Sequence, residues 1–350
     1  MSGCHFLVPG ALDRPTGGSR YDREIVEGLR QQGRSVAVSE LPGRFPDADD
    51  TARAAVDAAL SPLPDGTSVV VDGLVLGGLP EIFSPHARRL RLHALIHHPL
   101  ADESGIDPAL ARRLLERETR AVAQARCVIT TSGFTASRLR KLGIHRGATE
   151  VIEPGCSPRP LATGSGGDTP MLLCVAALSP RKAQHNLLDA LSRITDRRWR
   201  CRLAGPADLD PAYAAALHAQ RETLGLADRV ALDGALDAGA LDAAYRAADL
   251  FVLPSRYEGY GMVINEAMAY GLPVLTTTGG ALATTLPPDA GLSVPPDDPA
   301  ALADALQRLL GDPVLRQSLA EGARRARDGL AGWAPGVQHF MALLDRGRNA

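Results

Sequence analysis

Short apolar runs rich in β-branched residues alternate with amphipathic stretches along the chain. Such alternation is typical of βα units, which assemble into a mostly parallel sheet covered by helices. In the first half of the chain the pattern predicts strands over 5–8, 35–38, 68–71, 92–96, 127–130 and 150–152, with helices over 20–32, 51–60, 107–124 and 135–142.

The pattern breaks between residues 153 and 170, where three prolines precede a tract rich in glycine and serine, as is typical of a linker. We therefore predict two doubly wound, Rossmann-like domains, 1–160 and 161–330, with a C-terminal helix in 331–350 that packs back on the N-terminal domain. Ligands of open parallel sheets bind at the carboxyl ends of the strands, so we expect a cleft between the two sheets. The second half predicts strands over 171–176, 201–204, 230–232, 250–253, 274–276 and 292–294, with helices over 186–194, 211–224, 240–247, 263–270, 299–310, 313–327 and 336–346.

Composition narrows the function classes. The chain has 350 residues, 45% of them hydrophobic, and a formal charge of -2. These values argue against a disordered chain and against a protein that coats nucleic acid. No apolar run reaches about 18 residues and no secretory signal is visible, so no membrane span is expected. Five cysteines without a CxxC pair fit a reducing, cytoplasmic location.

The segment from Pro254 to Val274 carries the strongest chemical signal. An apolar strand ends in a loop containing Gly259 and Gly261, which opens a helix whose free N–H groups would suit a phosphate. Two carboxylates, Glu258 and Glu266, flank this point with seven residues between them. Because a phosphate would repel both, we expect them to bind hydroxyl groups on either side of it. A solvated loop carboxylate and a helix-start carboxylate are the simpler alternative.

This segment resembles the EX7E region of the retaining glycosyltransferases of family 4, which have the two-domain GT-B fold. The resemblance continues at Gly17-Gly18, Pro154-Gly155, Pro180-Arg181-Lys182 and Leu203-Ala204-Gly205-Pro206, and so covers nearly the whole chain. It implies an N-terminal acceptor-side domain and a C-terminal donor-binding domain. It further implies a metal-independent transfer from a UDP- or GDP-sugar, with no other cofactor, to a hydroxyl acceptor such as a saccharide, a lipid-linked sugar or a small metabolite.

The resemblance also implies roles for residues of the second half. Glu258 would face the donor sugar and Glu266 the ribose, while Gly259, Tyr260 and Gly261 would cradle the diphosphate. Lys182, with Arg181 beside it, would neutralise the leaving diphosphate. Thr277 and Thr278 would line the nucleotide pocket. The chain departs from the family at Ala176-Ala177, where relatives often have Gly-Arg; Arg181 is adjacent but not an evident equivalent.

In the first half, Gly17 and Gly18 resemble the glycine loop where donor phosphate and acceptor meet. A histidine at the end of the strand 92–96 would reach the donor sugar; His97 is preferred and His98 stays open. No further ligand stands at a matching spacing, so no metal site is predicted. Asp208-Leu209-Asp210 resembles a metal-binding DxD, but Asp210 before Pro211 fits a helix cap better.

Three alternatives concern partners and activity. Basic clusters at 88–91 and 138–141 are typical of solvated helix faces, although some relatives dock on anionic membranes with such patches. A non-catalytic nucleotide-sugar binding or regulatory module and a nucleotide-sugar epimerase would both use the same fold. The loops 74–83 and 99–106 are expected to select the acceptor, without a readable code.

Overall fold

The computed structural model describes residues 3–346. The chain divides into two compact units: unit 1 comprises 1–155 with 332–350, and unit 2 comprises 156–331. The sequence pattern placed these boundaries at 160/161 and 330/331. Within 3–346, no helix is both long and apolar enough to cross a bilayer.

Unit 1 is built on a six-stranded parallel sheet in the order β2-β1-β3-β4-β5-β6. Its strand order reverses between β1 and β3. Its strands are β1 (Cys4–Pro9), β2 (Val36–Leu41), β3 (Ser68–Asp72), β4 (Arg91–Ile96), β5 (Cys127–Thr130) and β6 (Thr149–Val151). Its first six helices are α1 (Gly17–Gln31), α2 (Asp50–Leu60), α3 (Gly73–Gly78), α4 (Pro80–Phe83), α5 (Pro108–Val122) and α6 (Gly133–Lys141), with a 3-10 turn at Leu100–Asp102.

Unit 2 repeats the architecture, with the strand order β12-β11-β10-β7-β8-β9. The order reverses between β7 and β10, which pair in parallel. Its strands are β7 (Met171–Val175), β8 (Arg200–Ala204), β9 (Val230–Gly234), β10 (Leu250–Leu253), β11 (Val274–Thr277) and β12 (Gly291–Val294). Its helices are α7 (Gln184–Ser192), α8 (Pro211–Thr223), α9 (Ala238–Ala247), α10 (Met262–Ala269), α11 (Leu282–Thr285), α12 (Pro299–Gly311) and α13 (Pro313–Arg327), with a 3-10 turn at Pro180–Lys182.

The central strands explain why this sequence forms layered sheets. β3, β10 and β11 are buried along their whole length, as expected for parallel strands covered by helices on both faces. Aspartates begin many of the covering helices: the Asp210 and Asp298 side chains accept backbone N–H groups of α8 and α12, each with proline at the first helical position. The predicted α/β fold is therefore confirmed.

The last helix, α14 (Trp333–Asp345), belongs to unit 1 and packs against α1. The rings of Phe6 and Phe340 stack with centroids 5.9 Å apart. A Cβ on Gly28 would lie 2.4 Å from Val337, so the lack of a side chain at Gly28 permits this close approach. Arg34 forms an ion pair with Asp345.

The structure differs from the sequence pattern at 74–83, which forms α3 and α4 rather than a loop. The pattern over this stretch is almost wholly apolar and carries Gly77, Gly78 and Pro80, so no helical periodicity was visible. Helix α3 begins because Asp72 accepts the N–H of Leu74 at 2.7 Å. A Cβ on Gly78 would lie 2.4 Å from the carbonyl oxygen of Pro46, which explains the glycine.

Candidate active site

The strand reversal between β7 and β10 in unit 2 gathers three of the predicted site residues. Glu258 follows β10 and is 6% exposed. The Lys182 ammonium donates to its Oε1 at 2.5 Å, and the Arg181 guanidinium lies 3.3 Å from its Oε2. The Ser255 hydroxyl donates to Oε1 at 2.7 Å. A buried carboxylate with two cations thus stands where open parallel sheets bind ligands.

Burial and the neighbouring cations shift the pKa of Glu258 in opposite directions. Burial alone would raise the pKa of Glu258, but the Lys182 and Arg181 cations outweigh it and hold that pKa below its usual value. Glu258 is therefore ionised at neutral pH. Two cations against one carboxylate leave one net positive charge, which favours an anionic ligand.

Close backbone packing fixes the loop that carries Glu258. Glu258 forms an isolated parallel bridge with Gly280, and the N–H of Ala281 donates to the Glu258 carbonyl at 2.8 Å. A Cβ on Gly280 would lie 2.3 Å from that carbonyl, and φ at Gly280 is +67°. Only glycine meets both conditions without strain. Gly261, with φ +93°, caps α10 in the same left-handed region.

Glu266 lies in helix α10 and has a different hydrogen-bond partner from Glu258. Glu266 is 8% exposed and accepts the Tyr245 hydroxyl at 3.1 Å. The Tyr245 ring stacks on Tyr270 with centroids 4.7 Å apart, which restrains the hydroxyl. On the loop before the helix, Tyr260 accepts from the Asn265 amide at 2.9 Å through its hydroxyl oxygen, and its carbonyl accepts the Thr285 hydroxyl at 2.6 Å.

The 3-10 turn at Pro180–Lys182 presents the two cations. The next residue, Ala183, is fully buried and has φ 51°, a left-handed conformation that costs a residue with a Cβ about 1–2 kcal/mol. Such strain is common beside functional groups. The Ala176-Ala177 loop, where the family arginine is missing, is held by Gln184, whose amide donates to the Ala177 carbonyl at 2.9 Å.

The two threonines after Val274 have different surroundings. Thr277 is the last residue of β11 rather than a residue beyond it, and it is buried. Its hydroxyl donates to the Ser255 carbonyl at 2.5 Å and accepts the N–H of Gly279 at 3.2 Å. Thr277 therefore supports the loop that holds Glu258. Thr278 is exposed.

In unit 1, the structure separates the two histidines. His97 Nε2 lies 3.2 Å from an Asp22 oxygen and 3.3 Å from an Asp72 oxygen. His98 Nε2 lies 3.3 Å from Glu103 instead. Gly18, at the start of α1, sits against the imidazole of His97, since a Cβ there would lie 3.3 Å from His97 Cδ2. A Cβ added at Gly17 would have no contacting heavy atom within 4 Å, so this position is open.

The remaining charged motifs have structural partners. The Asp210 side chain accepts the N–H of Tyr213 at 2.9 Å, so this aspartate caps α8. Arg138 makes two hydrogen bonds to Asp102, at 2.8 and 2.7 Å, and an Arg89 nitrogen donates to the Leu60 carbonyl at 2.8 Å. Parts of both basic clusters thus brace the fold rather than form an open cationic surface.

Three site residues were missed by the sequence analysis: Ser255, Asp72 and Asp22. Ser255 and Asp72 carried a usable signal, because Ser255 lies two residues after a buried parallel strand and Asp72 ends one. Asp22 carried none, since it lies inside an amphipathic helix where an aspartate is normally solvated. Only the fold reveals that Asp22 is 1% exposed and faces His97.

Comparison with known proteins relates this geometry to a family. Residues 162–326 match the family model described as Glycosyl transferases group 1. Unit 2 thus resembles the group 1 glycosyltransferases. A D-inositol 3-phosphate glycosyltransferase of Streptosporangium roseum is 32% identical over 275 residues, which cover 73% of this chain and 62% of that protein. One from Xylanimonas cellulosilytica is 35% identical over 160 residues, 45% of this chain and 38% of that protein.

Solved structures support the fold of the whole chain. Sucrose-phosphate synthase from Thermosynechococcus elongatus superposes with a TM-score of 0.82 at 22% identity, covering 98% of each chain. Anabaena HepE in complex with UDP and glucose gives a TM-score of 0.78 at 20% identity, covering 99% of this chain and 100% of that one. The GT-B fold class and the family resemblance drawn from the sequence are confirmed. The chain spans about half the length of the curated group 1 relatives it matches.

Proposed function

We propose that this protein transfers a sugar from a nucleoside diphosphate sugar to a hydroxyl acceptor, with retention at the anomeric carbon and without a metal ion. The observation that carries the proposal is the buried Glu258 carboxylate held by Lys182 and Arg181 at the strand reversal of unit 2. This arrangement provides positive charge for a diphosphate and a hydrogen-bond acceptor for sugar hydroxyls in one place.

The cations would act on the leaving group. As the bond between sugar and diphosphate breaks, negative charge grows on the phosphate, and a preorganised ammonium such as Lys182 stabilises that charge. The N–H groups at the start of α10 and around Gly259–Gly261 would add their partial positive charge. Because these groups neutralise the diphosphate, no metal is needed for the departure. The acceptor hydroxyl would then attack from the same face and pass its proton to the departing phosphate oxygen, which gives retention.

The two glutamates would divide the donor between them. Glu266, oriented by Tyr245, would hold the ribose hydroxyls of the nucleotide. Glu258 would bind the hydroxyls of the transferred sugar, exchanging part of its contact with Lys182 as the diphosphate takes up that charge. We propose that unit 2 is the donor-binding domain and that unit 1 is the acceptor-side domain.

Donor and acceptor classes follow from the comparisons as hypotheses. One solved relative holds UDP-glucose, so UDP-sugars are the first donors to test and GDP-sugars the second. Relatives are named for transfer to inositol 3-phosphate and for synthesis of mannosylfructose phosphate, so small polyols and sugar phosphates are the first acceptors. We place the reaction in the cytoplasm. Docking on an anionic membrane surface is a weaker proposal, because Arg89 and Arg138 are bound to protein groups.

A donor screen tests the proposal. Thermal shift with UDP, GDP, ADP and their sugars identifies the nucleotide, and mass spectrometry then follows donor hydrolysis and transfer to a panel of polyols and sugar phosphates. Release of the nucleoside diphosphate with formation of an α-glycoside from an α-donor would support retaining transfer. Binding without turnover would favour a non-catalytic module instead, and an epimerised nucleotide sugar would favour an epimerase.

A further inference from the structure

Unit 1 has its own cluster of ionisable groups at its own strand reversal. Asp22 comes from α1, which follows β1; Asp72 ends β3; and His97 follows β4. One ligand-type atom from each residue lies within 4.8 Å of the others. The carboxyl ends of adjacent parallel strands meet at one edge of a sheet, which explains how three distant segments converge.

The two aspartates are buried and held, whereas His97 reaches the surface. Asp22 is 1% exposed and Asp72 4%, but the His97 side chain is 18% exposed. One Asp72 oxygen accepts the N–H of Leu74, which leaves its other oxygen directed at His97. The Tyr21 ring stands edge-on to the imidazole, with centroids 5.4 Å apart. His97 is therefore the most exposed member of this cluster.

The geometry requires a proton on the nitrogen that faces them. His97 Nε2 lies within hydrogen-bond distance of both carboxylates, and a lone pair on this nitrogen would face two negative groups. Burial lowers the pKa of His97, but the charges and hydrogen bonds of Asp22 and Asp72 outweigh it and raise that pKa to about 10. Burial raises the pKa of Asp22 to about 6. The hydroxyls of Thr131 and Thr135, which are neutral, approach the His97 carbonyl.

A charged imidazole donates from both nitrogens, so the second nitrogen becomes useful. The Nδ1 atom of His97 makes no hydrogen bond within residues 3–346, and it is not among the buried unpartnered atoms. It therefore presents an N–H to solvent, while Gly18 lies against the other edge of the ring, nearest His97 Cδ2 and Nε2.

We propose that Asp22 and Asp72 are positioning residues that keep His97 protonated, so that its Nδ1–H is a permanent donor to a substrate oxygen. This goes beyond the proposed transfer reaction, because it assigns a charge state and two residues that the reaction itself does not require. The oxygen belongs to a hydroxyl or a phosphate, and only the identity of that ligand rests on the proposed function.

The charge state is measured on the free protein, without any substrate. NMR titration of ring-labelled histidines, with His97→Gln to assign the signal, follows the protonation of His97. We expect His97 to remain protonated to at least about pH 8.5, and Asp22→Asn or Asp72→Asn to lower its midpoint by about 1–3 pH units each, the range for losing a neighbouring opposite charge. Glu27→Gln, an exposed change on the same helix, should leave it unchanged.

A midpoint near 6.5 in the unmodified protein, or a midpoint that neither asparagine variant moves, would overturn the proposal. So would stoichiometric binding of Zn²⁺ or Mn²⁺ that is lost in His97→Gln, because a metal would then occupy the place of the proton. These outcomes do not depend on transferase activity, so they remain distinct from a failure of the proposed function.

Kinetics separates a positioning role from a purely structural one. When the pH is raised from 6.5 to 8.5, kcat/KM of Asp22→Asn should decrease about tenfold more than kcat/KM of the unmodified protein. The reason is that His97 loses its proton in this pH range only in the variant. A purely structural role for Asp22 would lower kcat/KM by the same factor at every pH. That result would refute the positioning role even if the variant folds normally. Asp72→Asn provides the same test if Asp22→Asn does not fold.

Discussion

Removing the Lys182 ammonium would leave a buried carboxylate without its closest cation. The Nζ–Oε1 distance is 2.5 Å, and the side chains of Lys182 and Glu258 are 17% and 9% exposed. Breaking a buried pair on one side typically costs about 3–5 kcal/mol. Because Ser255 and Arg181 still contact the carboxylate, we expect Lys182→Met to lower the free energy of unfolding by about 3 kcal/mol, at the low end of that range.

The double variant Lys182→Met/Glu258→Gln isolates the interaction. Without the buried charge, much of the cost should disappear, which gives a coupling energy of about 1–3 kcal/mol. Urea unfolding at pH 7 gives the free energy of unfolding of the unmodified protein, Lys182→Met, Glu258→Gln and the double variant. The matched control is Lys141→Met, at the only other lysine of the chain. Additive effects within about 0.5 kcal/mol would show that the two groups do not interact, and the proposed electrostatics of the site would be wrong.

The stability of the single variant Lys182→Met should also depend on pH in a defined direction. The pKa of Glu258 is lowered in the folded protein, so its contribution to stability is present above the unfolded value, about 4.3, and is lost as pH falls through the folded value. In Lys182→Met burial is opposed by fewer charges, so the pKa of Glu258 rises and acid unfolding should begin at a higher pH. If the proposed chemistry is right, kcat should also fall by roughly two to three orders of magnitude.

Three further results are expected. Activity should survive EDTA; loss that Mg²⁺ or Mn²⁺ restores would contradict the metal-independent scheme. Tyr245→Phe should weaken nucleoside diphosphate binding about three- to tenfold by calorimetry, because Glu266 loses an orienting hydrogen bond, and unchanged affinity would remove Tyr245 from the site. Burial raises the pKa of Glu118 to about 8, so the folded protein takes up a proton there and its stability should decline as pH rises from about 4 through 8. Urea midpoints of Glu118→Gln should lack that decline, and a parallel decline in both proteins would show another origin.

Much of the fold could be predicted because apolar strands buried on both faces leave a clear signal. β10 is a continuous apolar run and β3 has three valines at its centre, and the structure has strands close to each predicted range. Helices α3 and α4 could not be predicted, since glycine and proline within an apolar run hide the helical period. Their formation depends on the Asp72 cap and on contacts with distant segments such as Pro46.

The candidate site was predictable in its residue types but not in its pairings. The spacing of Glu258 and Glu266 and the position of Lys182 after a strand were visible in the sequence. That Lys182 would bond Glu258, while Glu266 would bond Tyr245, depends on which strands are neighbours. The Asp22 and Asp72 contacts to His97 join residues 75 or 25 positions apart by number, and no local pattern encodes them.

The measurement that tests the account most directly is calorimetric binding of the free nucleoside diphosphate to Glu258→Gln and Glu266→Gln. That ligand has the ribose but not the transferred sugar. The account predicts that Glu266→Gln loses affinity by about 1–3 kcal/mol, while Glu258→Gln binds the nucleotide nearly as well as the unmodified protein and is impaired mainly in kcat. Equal losses in both variants, loss in Glu258→Gln alone, or no nucleotide binding by the unmodified protein would contradict it.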